Sequence, residues 1–218
     1  MQLVVRHLVL TRGGRTVIDD LSFTVGGGEA LLLTGRNGAG KTTLIRALAG
    51  LLAPLSGQIT IEGVPDEREP REVVHYLGHA DANKGSLTVL ENAQFWMRYL
   101  GDWAGAPANG AAGNDADTVW PALERLGLDG LADIPAAYLS AGQKRRLALA
   151  RLLVARRPVW LLDEPSVSLD AASVALLARI IGEHVAGGGL AIAATHLPLG
   201  LDAARELRLG MTDTGAST

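Results

Sequence analysis

The chain has 218 residues, 48% of them apolar, with a formal net charge of -3. That length supports one sizeable core, and the near-neutral charge gives no electrostatic case for a nucleic-acid binder, which ordinarily carries a basic patch. The absence of cysteine excludes disulfides, zinc-cysteine sites and haem attachment through Cys-x-x-Cys-His.

The opening run MQLVVRHLVL is broken by Arg6 and His7. Without a basic start, a long apolar stretch or a small-residue cleavage site, it reads as a strand rather than a secretory leader. No stretch reaches the roughly 18 to 20 apolar residues that a spanning helix needs, so any work at a membrane is expected to be peripheral. Residues 2–10 and 16–25 predict two strands joined at Gly13-Gly14. Residues 29–34 form a short apolar strand, followed by a glycine-rich turn and a helix from Lys41 to Leu51. Further strands are expected at 58–62 and 73–77, and a helix at 88–99. Residues 101–117, rich in Gly, Ala, Asn and Asp, cannot bury much surface and predict a flexible surface loop. Helices follow at 118–127, 142–155 and 171–185, with buried strands at 159–163 and 190–195.

Alternating strands and helices predict an α/β fold with a mostly parallel sheet covered on both faces, extended by the antiparallel opening hairpin. Residues 79–155 are mainly helical and predict a small lobe, with 1–78 and 156–218 forming the core.

Gly35-Arg36-Asn37-Gly38-Ala39-Gly40-Lys41-Thr42 matches G-x-x-x-x-G-K-[ST] between a strand and a helix, and Thr43 continues it. Glycines let the main chain curl around a polyphosphate with its N–H groups inward, and the helix N-terminus adds partial positive charge. Lys41 can reach the outer phosphates, and Thr42 offers a hydroxyl to magnesium. Taken alone, the motif says only that a nucleotide binds. VWLLDEP, residues 159–165, ends a buried strand in two carboxylates. Asp163 is placed to hold magnesium, and Glu164 to polarise the attacking water. Ser140-Ala141-Gly142-Gln143 opens a helix carrying Lys144, Arg145 and Arg146. It is a second candidate anion surface, although composition alone suits an ordinary capped helix with a solvated basic first turn.

Leu139-Ser140-Ala141-Gly142-Gln143 closely resembles the LSGGQ signature of ABC ATPases, in the family's position between the phosphate loop and the acidic strand. Val167-Ser168-Leu169-Asp170 resembles the D-loop, and Ala194-Thr195-His196 the switch-histidine loop. The resemblance covers essentially the whole chain. It implies a P-loop NTPase with a RecA-like parallel core, the antiparallel β extension and the helical lobe. It also implies use of ATP and Mg2+ by a head-to-tail homodimer, with each ATP between residues 35–42 of one copy and 140–143 of the other. His196 would contact the γ-phosphate and help orient Glu164, and Asp170 would lie at the dimer contact.

Two positions depart from the family pattern. Arg12 stands where an aromatic residue ordinarily stacks on adenine; a guanidinium can stack on a base plane. His79 stands where a Q-loop glutamine senses magnesium and links to the membrane subunit; imidazole can donate a hydrogen bond or ligate a metal. Tyr76-Leu77-Gly78-His79, Leu87-Thr88-Val89-Leu90-Glu91-Asn92 with Phe95-Trp96, and YLSAGQKRRLALARL at 138–152 resemble one subfamily, the ATP-binding subunits of cytochrome c maturation haem exporters of the CcmA type. That resemblance implies integral-membrane permease partners in a haem-handling complex. It also implies a peripheral place on the cytoplasmic face of the inner membrane, and no nucleic-acid partner. Against the subfamily, residues 101–117 predict an insertion in the lobe. Other exporters of drug, lipid or peptide are the alternative, and a soluble non-transport ABC ATPase is a further one. His7, His75 and His184, like Trp96, Trp103, Trp120 and Trp160, read as ordinary core, surface or loop residues rather than a haem-ligand set.

Overall fold

Gly13 and Gly14, at φ 57° and 75°, turn strand β1 (Gln2–Arg12) back into β2 (Arg15–Gly26). Two positive-φ residues in a row suit the tight turn that matches strand twist. Strand β3 (Ala30–Thr34) follows, and helix α1 (Lys41–Leu48) leads to β4 (Ser56–Glu62). Strand β4 pairs antiparallel with the free side of β1, giving the order β2-β1-β4. This computed structural model describes residues 1–64, 70–101 and 115–210.

The rest of the chain builds the core and the lobe. A single turn, α2 (Pro70–Val73), enters β5 (Val74–Leu77). Helices α3 (Val89–Leu100), α4 (Asp115–Arg125) and α5 (Ala141–Val154) make the lobe. Strand β6 (Val159–Asp163), helix α6 (Ala171–Ala186), β7 (Leu190–Ala194) and β8 (Arg205–Arg208) complete the described elements. All pairs in the second sheet are parallel, in the order β5-β6-β7-β3-β8. Every residue of β6 and β7 is buried, as a parallel sheet covered on both faces requires.

Side-chain alternation along β6 divides the interior. Val159 and Leu161 join α1 residues Leu44, Ile45 and Leu48 and the hairpin's Leu3, Val5 and Leu8. Trp160 and Leu162 join Leu147 of α5 and Leu177, Ile180 and Ile181 of α6. The second cluster continues without a break into Val89, Ala93, Val119 and Leu123, so the lobe and the sheet share apolar contacts. Among the described residues, no helix is long and apolar enough to cross a membrane.

Several expectations shift. Helix α1 stops at Leu48, and Gly50 takes φ 70° beyond it. The loop expected over 101–117 falls mostly on 102–114, outside the described residues together with Trp103; Asp115–Asp117 belong to α4 instead. Strand β8 went unread because RELR has no apolar run, and it pairs with β3 at the sheet edge. Asn92 lies on the buried side of α3. Its amide donates to the carbonyls of Lys84, Leu87 and Thr88 and accepts from Lys84 N–H, so this polar core residue is fully satisfied.

One histidine lies in the core and a second, half-buried, packs against it. His75 is buried with Nε2 at 3.0 Å from Ala155 O, and burial, helped by the Arg151 charge, pushes its pKa down to about 3. His184 stacks on Trp160 with centroids 3.8 Å apart, and burial pushes it down to about 4. Unfolded, both take up protons near 6.5. Below that pH the unfolded chain binds more protons than the folded one, so stability falls as pH falls. The urea midpoint should therefore drop between pH 7 and 5, and His184→Phe should flatten the slope while keeping a stacked ring. An unchanged slope would show that His184 is not one of the groups responsible.

Candidate nucleotide site

The C-terminal ends of β3, β5, β6 and β7 open onto one edge of the parallel sheet, the place where α/β folds bind ligands. Residues 35–40 fill the turn from β3 to α1. Gly35 has φ 130°, and a Cβ there would stand 2.4 Å from Leu209 O. Gly40 has φ 95°, and a Cβ there would meet Ile18 Cγ1 at 3.2 Å. Only glycine therefore lets the loop curl this tightly. Gly40 caps α1 without a side-chain bond, and the first turn has no acidic residue. Its N–H groups are thus left for an anionic ligand. Arg36, Asn37 and Gly38 are exposed at the rim, whereas Lys41 and Thr43 are buried. Lys41 Nζ donates to Gly35 O at 2.8 Å and Arg36 O at 3.3 Å, which holds its charge inside the curl.

Strand β6 delivers the carboxylates. Asp163 is buried, and Thr42 Oγ1 donates to its Oδ1 at 3.0 Å. Burial raises its pKa; the Thr42 bond opposes this, and the neighbouring Glu164 charge adds to it. The pair fits magnesium. Among the described residues no three His, Cys, Asp or Glu form a metal cluster, so a cation beside Thr42 and Asp163 would draw its other oxygens from phosphates and water, the habit of Mg2+. Glu164 has φ 49°. Its N–H donates to Ala194 O at 2.8 Å, and its Oε2 lies 2.8 Å from His196 Nδ1. The carboxylate and imidazole share one hydrogen bond, the arrangement that orients a base toward water.

Ser140 caps α5. Its hydroxyl accepts from Gln143 N–H at 3.3 Å, and Gln143 Oε1 accepts from Ser140 N–H at 2.8 Å. This capping box leaves the N–H groups of Ala141 and Gly142 for another partner. A Cβ on Gly142 would sit 3.0 Å from Ser168 O, so the turn packs on the loop after β6. Asp170 caps α6 by accepting from Ser173 N–H at 2.8 Å, and the Ser173 hydroxyl first, then this N–H, lowers its pKa. Among the described residues, no hydrogen bond or ion pair joins 35–42 to 140–143.

The basic first turn after Ser140 is only partly solvated. Lys144 Nζ donates to Ala137 O at 3.0 Å and Arg146 Nη1 to Leu126 O at 2.7 Å. Arg145 is buried. Composition could not show this, because the carbonyls that Arg145 and Arg146 reach lie far along the chain.

The ABC transporter family pattern matches residues 18–167. The chain belongs to that family. It is therefore an ATP-using subunit of the ABC type. It is 53% identical over 210 residues to the cytochrome c biogenesis ATP-binding export protein CcmA of Rhodopseudomonas palustris strain BisB5, covering 96% of this chain and 98% of that one. The protein of the same name from Agrobacterium fabrum is 47% identical, with 96% and 95% covered. A solved putative ABC transporter ATP-binding protein from Pyrococcus furiosus shares the fold, with TM-score 0.79 at 24% identity over 96% of this chain and 98% of that one.

The two departures from the ABC pattern sit at the site's margins. Arg12 is exposed at the end of β1, beside the hairpin turn, and that hairpin's Ile18 packs under Gly40. His79 is exposed just after β5 and near enough to Asp163 to oppose a small part of the rise that burial causes in the carboxyl's pKa.

Proposed function

We propose that this ABC subunit hydrolyses ATP to power a haem-handling membrane complex in cytochrome c assembly. The observation that carries the catalytic half is the Glu164–His196 contact of 2.8 Å beside the Thr42–Asp163 pair. Residues 35–43 grip the triphosphate, and Arg12 stacks on the base. Thr42 and Asp163, with His79 at the margin, would hold Mg2+, which would supply positive charge against the phosphates. Glu164 accepts the proton of the attacking water while His196 steadies it, and water oxygen displaces ADP from the γ-phosphorus. A second copy closes over each ATP with Ser140–Gln143, and Asp170 lies at that contact. In this reading the core of 1–78 and 156–218 and the lobe of 79–155 make one ATP-binding domain, whose pair closes on ATP and opens after hydrolysis.

The cytochrome c half rests on full-length similarity to proteins named for that process and on the Tyr76–His79 and Leu87–Asn92 segments. In this reading the subunit sits peripherally on the cytoplasmic face of the inner membrane, bound to integral permease subunits. Affinity capture of the tagged chain from detergent-solubilised membranes of its source organism should bring down a membrane protein with bound haem, visible by its Soret absorbance. Capture of a haem-free permease for drugs, lipids or peptides would replace this assignment.

A further inference from the structure

Helix α5 sends one guanidinium between the ends of β5 and β6. Arg145 is 3% exposed. Its Nε donates to Pro165 O at 3.0 Å. Its Nη2 donates to Glu164 O at 2.7 Å and Asp163 O at 3.3 Å. Its Nη1 donates to Gly78 O at 3.1 Å and Asp81 Oδ1 at 3.0 Å. Arginine has five N–H donors in a planar fork, and here five acceptors meet it. Those acceptors lie on two segments: the one carrying His79 and the one carrying the candidate catalytic acid.

This is a costly place for a cation. Arg151, on the same helix, is also buried, and its pKa is pushed down to about 10 by burial first and by the Arg145 charge second. Asp81 is the carboxylate paired with Arg145. A buried arginine on so many carbonyls is a poor device for stability alone, since apolar packing could fill the space as well.

The geometry at Glu164 gives the arginine a purpose. A residue with a Cβ resists φ 49°, and such a conformation persists only where its surroundings over-determine it. Three hydrogen bonds on its main chain do so here, the weakest from Val167 N–H to Glu164 O at 3.3 Å. The Glu164 N–H is held by Ala194 O at 2.8 Å and its C=O by Arg145 Nη2 at 2.7 Å. Relaxing φ to a negative value would break this clamp and swing the carboxylate away from His196.

We propose that Arg145 is a positioning residue for hydrolysis. It locks the strained Glu164 turn and joins that turn to the Gly78–Asp81 segment and to the helix capped by Ser140. The proposal rests on Glu164 being the residue that activates water. Arg145 touches neither nucleotide nor water in this role, so it acts on the chemical step rather than on affinity.

The test compares single-turnover ATP hydrolysis with the ATP dissociation constant in the purified full-length chain. Arg145→Gln should slow the chemical step by about 10- to 100-fold, the penalty of a small misplacement, while affinity stays within about threefold. Arg145→Lys, which keeps the buried charge but not the fork, should fall between Arg145→Gln and wild type. Asp81→Asn, which keeps an acceptor, should lose least. Circular dichroism and the urea midpoint establish folding; if Arg145→Gln does not fold, Arg145→Lys decides. A folded Arg145→Lys that hydrolyses at the wild-type rate overturns the proposal, as does a loss of affinity that matches the loss of rate. Glu164→Gln runs beside these variants. If it turns over normally, the assignment of Glu164 has failed. If it is inactive while the Arg145 variants are normal, only the Arg145 proposal has failed.

Discussion

Lys41→Ala should weaken ATP binding by about 10- to 150-fold, the equivalent of one charge-assisted hydrogen bond of about 1.5–3 kcal/mol. The ammonium is buried and already lies within the loop, on Gly35 O at 2.8 Å and Arg36 O at 3.3 Å. A phosphate entering the curl takes over a donor that is in place and largely desolvated, where such bonds are strongest. Lys41→Arg should not restore affinity, because a broad planar fork does not fit where a compact ammonium points. Isothermal titration with ATP measures both variants, and wild-type affinity in Lys41→Ala would remove the phosphate assignment from residues 35–42.

Glu164→Gln should lower hydrolysis by about 10²- to 10⁴-fold, the range for loss of a positioned base, and leave ATP binding intact. An amide has nearly the carboxylate's shape and can still accept from His196, but it cannot take a proton at neutral pH. Thr42 and Asp163, the pair proposed to hold magnesium, are unchanged in this variant, so magnesium-dependent binding should not suffer. Phosphate release under saturating Mg-ATP gives the rate, and turnover within a few-fold of wild type would take Glu164 out of its role.

Much of this site is written in short spans of sequence. The strand before Gly35, the helix after it and the buried VWLLD run ending at Asp163 stand almost where apolar pattern and glycine placement put them. Those signals are local: a parallel strand buried on both faces must be apolar throughout, and a tight phosphate turn needs glycine. What stayed hidden depends on partners distant in the chain. Arg145 looks like a solvated helix residue until Gly78, Asp81 and the carbonyls after β6 are brought around it. Strand β8 is polar and short, and only β3 beside it makes it a strand. Asn92 is buried and satisfied only because the turn at 84–88 wraps over it. The positive φ of Glu164 has no sequence marker, since its residue type is the ordinary choice for the chemistry.

The pairing of two copies across ATP is the claim on which the catalytic account stands, and a cysteine-free chain allows a clean measurement. Asn37→Cys and Ala141→Cys, both at exposed positions, are introduced together into Glu164→Gln, and mild oxidation is followed on a non-reducing gel. With Mg-ATP the chain should run as a disulfide-linked dimer, and without nucleotide as a monomer. A monomer under both conditions, or the same dimer yield with and without ATP, would contradict the head-to-tail site.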